Sequence, residues 1–215
     1  MPGLSGTGRL ADDLYLMAHH EVSGKPYVQP RALGLGLAGG LLAELMLLGS
    51  IRLVPDGVVV AAGRAAPEDG LARSVLGLIA GEHERRPVRD WLLFVARTAA
   101  GELGRRLEQS GYVTQAGGRG LRRSGRRVPV DPDSAFAPLL RVRSALDTTR
   151  PLSAEGAVLA GLAVACGLGF RLVQYTPPKT GRSVDEAVGQ LGPGLRELVA
   201  QTQAAVDSAL LSHRV

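Results

Sequence analysis

A mainly α-helical single domain, a helical bundle around one buried central helix with one or two short β-hairpins, is the fold class that this sequence predicts. Three observations carry the prediction. The stretch from Pro30 to Leu48, PRALGLGLAGGLLAELMLL, is almost wholly apolar, and Leu33, Leu37, Leu41, Leu45 and Leu48 recur at steps of three and four, the spacing that lines one face of an α-helix. Leu42 and Met46 widen that stripe, as in a helix packed on most sides. Further apolar runs also follow helical spacing, whereas β-branched residues cluster clearly only around Pro55-Asp56-Gly57. With 215 residues and 45% hydrophobic content the chain can bury one sizeable core, so residues 10 to 213 read as one domain behind a flexible start at residues 1 to 9.

In chain order, Leu10 to Ala18 reads as a short helix, and its adjacent Asp12 and Asp13 as solvated or capping carboxylates. In the turn-rich HHEVSGKPYVQP, neighbouring His19 and His20 cannot meet one metal as histidines four apart on a helix do, so they read as a solvated helix end. Gly34, Gly36, Gly39 and Gly40 in the central run each cost about 1 kcal/mol of helix propensity relative to Ala, which predicts close approach of neighbouring backbones. A membrane span needs about 20 predominantly apolar residues. The central run is shorter and contains Glu44, so it reads as a core helix that Gly49 ends.

Ile51 to Val54 and Val58 to Val60 flank Pro55-Asp56-Gly57 as a hairpin, GRAAPEDG is a loop, and Leu71 to Ala80 is a helix. Val88 to Gln109 forms a long helix with Trp91, Leu92, Val95, Leu103 and Leu107 buried and Arg89, Arg97, Arg105 and Arg106 on other sides, ending at Ser110-Gly111. Arg119, Arg122, Arg123, Arg126 and Arg127 then crowd into nine residues among glycines, a basic surface loop or weak hairpin whose potential attracts phosphates. Ala135 to Leu146 is a further helix, and Ala157 to Leu172 a second core helix containing Cys166. The loop TPPKTG separates it from the last helical stretch, which opens on the capping box Ser183-Val-Asp-Glu186, restarts or kinks at Pro193 and runs to about Leu211.

The net charge of +5 and pI near 10 favour anionic partners, phospholipid surfaces or nucleic acid. A single cysteine excludes disulfides and Cys-based metal sites within one chain. The small, polar start lacks an apolar leader segment, and a cytoplasmic location is expected. No Walker loop, G-x-S-x-G, His-Glu-x-x-His or Cys-x-x-Cys is present, so the chain is expected to be no enzyme and to carry no cofactor or metal. A helix followed by the Ile51 to Val60 hairpin also suits a winged-helix nucleic-acid binder. That reading is the weaker one, because the helix offers a groove only Arg31 and Glu44.

Several segments, in this order, resemble the Golgi phosphoprotein three family, its bacterial members included. They are LADDLYLMA, GLAGGLLAELMLLGSIRL, APEDGLARSVLGLI, VRDWL leading to LEQSGYV, and PVDPDS, spread across about residues 9 to 175. The resemblance implies a mostly helical domain with a protruding hairpin, and a peripheral membrane protein that binds phosphatidylinositol 4-phosphate through a basic pocket. In the eukaryotic members that pocket uses a tryptophan before the central helix, an arginine on it, and two arginines three apart on a later helix. Those positions fall at Gln29, Ala38, Arg97 and Ala100, so that only Arg97 keeps the family residue, with Arg31 and Tyr27 near the vacant positions. The family's apolar hairpin tip falls around Leu121, amid glycine and arginine. The expected partner is an anionic phospholipid surface contacted by the lipid site Arg97, Arg31, Gln29 and Tyr27 and by the basic loop, the loop contributing more than Arg97. A homo-oligomer or a protein cargo is a further possible partner, and nucleic acid is not expected.

Overall fold

A computed structural model describes residues 7–54, 58–61, 66–116, 125–148, 151–173 and 183–212. Among these, nine helices and two antiparallel hairpins follow one another: α1 Leu10–Met17, α2 Pro30–Leu47, β1 Ile51–Leu53, β2 Val59–Ala61, α3 Gly70–Gly81, α4 Val88–Gln109, β3 Val113–Gln115, β4 Arg127–Pro129, α5 Pro132–Leu146, α6 Ala154–Ala165, α7 Gly169–Val173, α8 Val184–Gly189 and α9 Pro193–Leu211. The fold is mainly α, as the leucine spacing predicts.

Helix α2 is the axis. Pro30 stands in its first turn, where a missing N–H costs nothing. Gly49, at φ +70°, ends it: the Ser50 N–H donates to the Leu45 carbonyl and the Gly49 N–H to that of Met46, the paired bonds of a Schellman turn. By length and composition α2 is able to cross a membrane, yet 72% of it is buried within the protein, beneath α1, α4, α6 and α9. Two of its glycines are required by that sheath. A Cβ at Gly36 would lie 1.9 Å from Cys166 Sγ, and one at Gly34 would lie 2.7 Å from the Ala96 carbonyl oxygen. Leu37, Leu41 and Leu45 are fully enclosed, each contributing on the order of 2 kcal/mol by leaving water. Leu48, expected on the same stripe, is instead 49% exposed, because the helix has already turned out at its cap.

Other expectations need correction. The second core helix is two: α6 stops where Gly167, at φ +90°, makes another Schellman turn, with Leu168 N–H bonded to the Ala163 carbonyl, and α7 starts afresh. Cys166 is buried at that cap. Asp12 and Asp13 are not solvated but 3% and 2% exposed. His19 is no free helix end either: its Nδ1 lies 2.7 Å from the Tyr15 carbonyl and its ring stacks on Tyr15 at 4.2 Å, burial lowering its pKa. Thr7 ties the described end of the N-terminus to α1, its N–H and hydroxyl both donating to Asp13 Oδ1 at 2.9 Å.

The Ser183–Glu186 capping box forms as expected, and Pro193 starts α9 rather than kinking a longer helix. The hairpin strands pair as Ile51 with Ala61 and Leu53 with Val59, and Val113 with Pro129 and Gln115 with Arg127. The turn Pro55-Asp56-Gly57, the loop TPPKTG and Arg119, Arg122 and Arg123 lie outside the described residues.

Candidate functional site

The Gly34–Ala96 contact fixes how the expected lipid-site residues sit. Glu44 lies in the field of Arg106, the same number of residues further along each helix, so α2 and α4 run parallel. Arg31, three residues before Gly34, and Arg97, one after Ala96, therefore stand within about one helical turn of the same crossing. Both are exposed, and neither makes an ion pair or hydrogen bond among the described residues. On the outward stripe of α4, Arg89, Leu93 and Arg97 follow at steps of four, with Leu93 47% exposed. The Arg89 guanidinium donates to Ser208 Oγ at 3.2 Å, which brings the end of α9 to this edge.

The four positions of the family's phosphoinositide pocket do not form a basic pocket here. Ala38 is fully buried in the core, and Gln29 is the exposed residue before α2, with no side-chain capping bond. A shallow groove of about 470 Å³ beside it is walled by Tyr27, Gln29, Pro30 and Leu210 among others, and neither Arg31 nor Arg97 is in that wall. Tyr27 is already engaged. Its ring carries the Arg171 guanidinium at 4.1 Å, and its hydroxyl donates to Glu21 at 3.3 Å. Arg171 is itself buried, donating to the Met17 carbonyl at 2.9 Å and to Glu21 at 3.2 Å, so it clamps α7 to the loop after α1.

The described end of the basic loop, at Arg127, packs against Gly24 in the segment before α2, away from Arg31 and Arg97. Strands β3 and β4 follow the C-terminal end of α4, whereas Arg89 and Arg97 belong to its first half. Of the two loop arginines described, Arg126 is exposed, but Arg127 is bound to Glu108 at 3.1 Å and lies against Gly104. Arg127 is structural and offers little charge to an external anion.

The most charged interior feature was not legible from motifs. Arg106, expected on an outer face of α4, is 8% exposed and binds Asp12 Oδ1 at 2.8 Å and Asp69 Oδ2 at 2.6 Å. Asp69 also caps α3 by accepting from the Ala72 N–H at 2.8 Å. Glu44 joins the cluster from α2, accepting from the Ala11 N–H at 2.8 Å. Burial pushes the Glu44 carboxyl up to about 7, against the pull of the Ala11 N–H and Arg106, with Asp12 and Asp69 adding to the rise. Burial likewise raises Asp12, outweighing Arg106. At Asp69 burial is overcome by the Ala72 N–H and Arg106, and its pKa is lowered. Asp13 pairs separately with Arg141. These ion pairs join α1, α3, α4 and α5; Asp69 and Arg106 also line a surface cavity of about 460 Å³ between α3 and α4, and Glu44 and Asp69 another of about 440 Å³. Among the described residues no three His, Cys, Asp or Glu side chains gather as metal ligands.

With 13 residues of α2 buried, the helix that a winged-helix reading would place in a DNA groove is the core of the molecule. No curated protein sequence matches the chain. The family model of Golgi phosphoprotein 3 (GPP34), however, matches residues 10–209. That span takes in the central glycine-rich helix, the capped helices on either side and the C-terminal helix α9, and the chain belongs to the Golgi phosphoprotein 3 (GPP34) family.

Proposed function

We propose that the protein is a non-enzymatic peripheral membrane protein, cytoplasmic and reversibly membrane-associated, that contacts anionic phospholipid head groups through the exposed edge formed by α2 and α4. The observation that carries this reading is the pair Arg31 and Arg97, two exposed guanidinium groups without a partner among the described residues, beside the same helix crossing. The interior arginines are each paired, Arg106 with Asp12 and Asp69 and Arg171 with Glu21, whereas these two have no such partner among the described residues. Each arginine near an anionic leaflet contributes about 1 kcal/mol, so a few suffice for reversible attachment without a closed pocket. Family membership makes phosphatidylinositol 4-phosphate the first head group to try, with Arg97 as its one retained pocket residue. The open surface favours recognition of negative charge over head-group shape, since one guanidinium does not reproduce the set of charge-assisted bonds that encloses a phosphate.

The test is co-sedimentation with vesicles of neutral lipid alone, or with added phosphatidylserine or phosphatidylinositol 4-phosphate, at low and high salt. Binding to both acidic preparations, weakened by salt, is expected. Equal recovery with neutral and acidic vesicles would sink the proposal, and sub-micromolar retardation of random duplex DNA at physiological salt would move the basic surface to nucleic acid.

A further inference from the structure

Salt-sensitive attachment leaves unexplained why large apolar side chains stand in water at this same edge. Leu93 lies between Arg89 and Arg97 on α4 and is 47% exposed, and Leu210 and Leu211, at the end of α9, are 39% and 67% exposed. Three contacts bring these elements together. Arg89 is bonded to Ser208, two residues before Leu210, Leu210 shares a groove wall with Gln29 and Pro30 at the start of α2, and Gly34 abuts Ala96. Leucines of α4 and α9 thus meet the arginines of α2 and α4.

The charge at this edge is modest. Arg31, Arg89 and Arg97 share it with the carboxylates Asp90 and Asp207, both exposed, so the local excess of positive charge is small. Charge alone therefore holds such a surface to a bilayer only weakly at physiological salt, where the screening length is about 8 Å. Apolar residues ringed by cations match the border between phosphates and acyl chains, where arginine heads meet phosphate while neighbouring leucines leave water.

We infer that Leu93, Leu210 and Leu211 form an apolar edge that enters the acyl border of a lipid bilayer while Arg31, Arg89 and Arg97 meet the phosphates above it. The inference rests on the membrane reading and adds to it a salt-resistant component of binding. The committed partner is a lipid surface, because three arginines against two carboxylates leave the edge net positive, which complements lipid phosphates, whereas the equivalent patch on a second copy of this chain carries the same net positive charge.

The experiment is vesicle flotation of the full chain with phosphatidylserine vesicles across a salt series, comparing the unmodified protein, Leu93→Ser with Leu211→Ser, and Val130→Ser. Val130 is 59% exposed next to β4, beyond the opposite end of α4, and serves as a matched control. All three side chains face water, so the variants are expected to melt like the parent. The double leucine variant should lose about tenfold or more in partitioning at every salt, with the slope against salt unchanged, while Val130→Ser changes nothing. Loss confined to low salt, or equal binding of the double variant and the parent, overturns the apolar edge but leaves the charged surface standing. No vesicle binding by the parent overturns both. A parent that is dimeric by light scattering and becomes monomeric on Leu93→Ser and Leu211→Ser assigns the edge to a second copy and also overturns the inference.

Discussion

Glu44→Gln should make the protein more stable above neutral pH, and the size of the gain follows from where the carboxylate sits. It lies on the core helix, bonded to the Ala11 N–H and close to Asp12 and Asp69 as well as to Arg106. Burial holds its pKa at about 7 against an ordinary 4.5. Because the folded value is raised, the folded protein binds this proton more tightly than the unfolded chain. The contribution to stability is complete below about pH 4.5 and is lost as pH rises through about 7. A difference of roughly 2.5 pKa units corresponds to about 3 kcal/mol once the group is fully ionised. Glutamine is neutral at every pH and retains an oxygen for the Ala11 N–H, so the variant should match the parent within about 1 kcal/mol at pH 5 and exceed it by about 3 kcal/mol at pH 8. His19, held below its usual pKa by burial, gives part of this window the opposite slope, and the comparison is therefore variant against parent at each pH. Urea unfolding followed by the fluorescence of Trp91, the chain's one tryptophan, measures both. In melting temperature the gain at pH 8 is about 6 to 12 °C for a domain of this size. Parallel stability profiles for parent and variant from pH 5 to 8 would refute the reasoning and mean that Arg106 holds Glu44 ionised.

Further consequences concern the core. Arg106→Met leaves Asp12 and Asp69 without their buried cation and should cost about 3 to 5 kcal/mol in urea unfolding, whereas Arg105→Met, on an exposed pair with Glu102, should cost less than about 1 kcal/mol. Gly36→Ala places a methyl against Cys166 Sγ and should destabilise by about 1 to 3 kcal/mol, and Cys166→Ala in the same chain should recover most of that loss in a double-mutant cycle of thermal melts. Burial pushes the Cys166 thiol up to about 12, so a thiol reagent at pH 8 should label it only as the protein unfolds, at a rate that rises with urea.

Periodicity made the helices legible and left their partners hidden. The 3.6-residue repeat located α2 and α4 to within a residue or two, and the central glycines announced the close approach now seen at Ala96 and Cys166. Gly167 carried the same stop signal as Gly49, yet the apolar run on both sides masked it, and one helix was expected where there are two. By sequence Asp12 reads as a solvated or capping carboxylate and Arg106 as lying off the buried side of α4. Their bond spans 94 positions, and no local pattern shows that a carboxylate from α1 meets a guanidinium from α4. The lipid site was legible only in part for the same reason. Arg31 and Arg97 could be singled out, but the burial of Ala38 and the engagement of Tyr27 by Arg171 depend on how distant helices pack.

The central claim, that the arginines beside the α2–α4 crossing face the membrane, is tested most directly by phosphatidylserine vesicle binding of Arg31→Ala with Arg97→Ala against Arg122→Ala with Arg123→Ala and Arg126→Ala. Sequence alone assigns the larger effect to the loop, and the exposed guanidinium groups on α2 and α4 reverse that order. Removing two contacts of about 1 kcal/mol each predicts at least a tenfold loss of partitioning for the first variant at low salt, and a smaller loss for the second. Parent-like binding of the Arg31 and Arg97 variant, with binding abolished in the loop variant, would contradict the account.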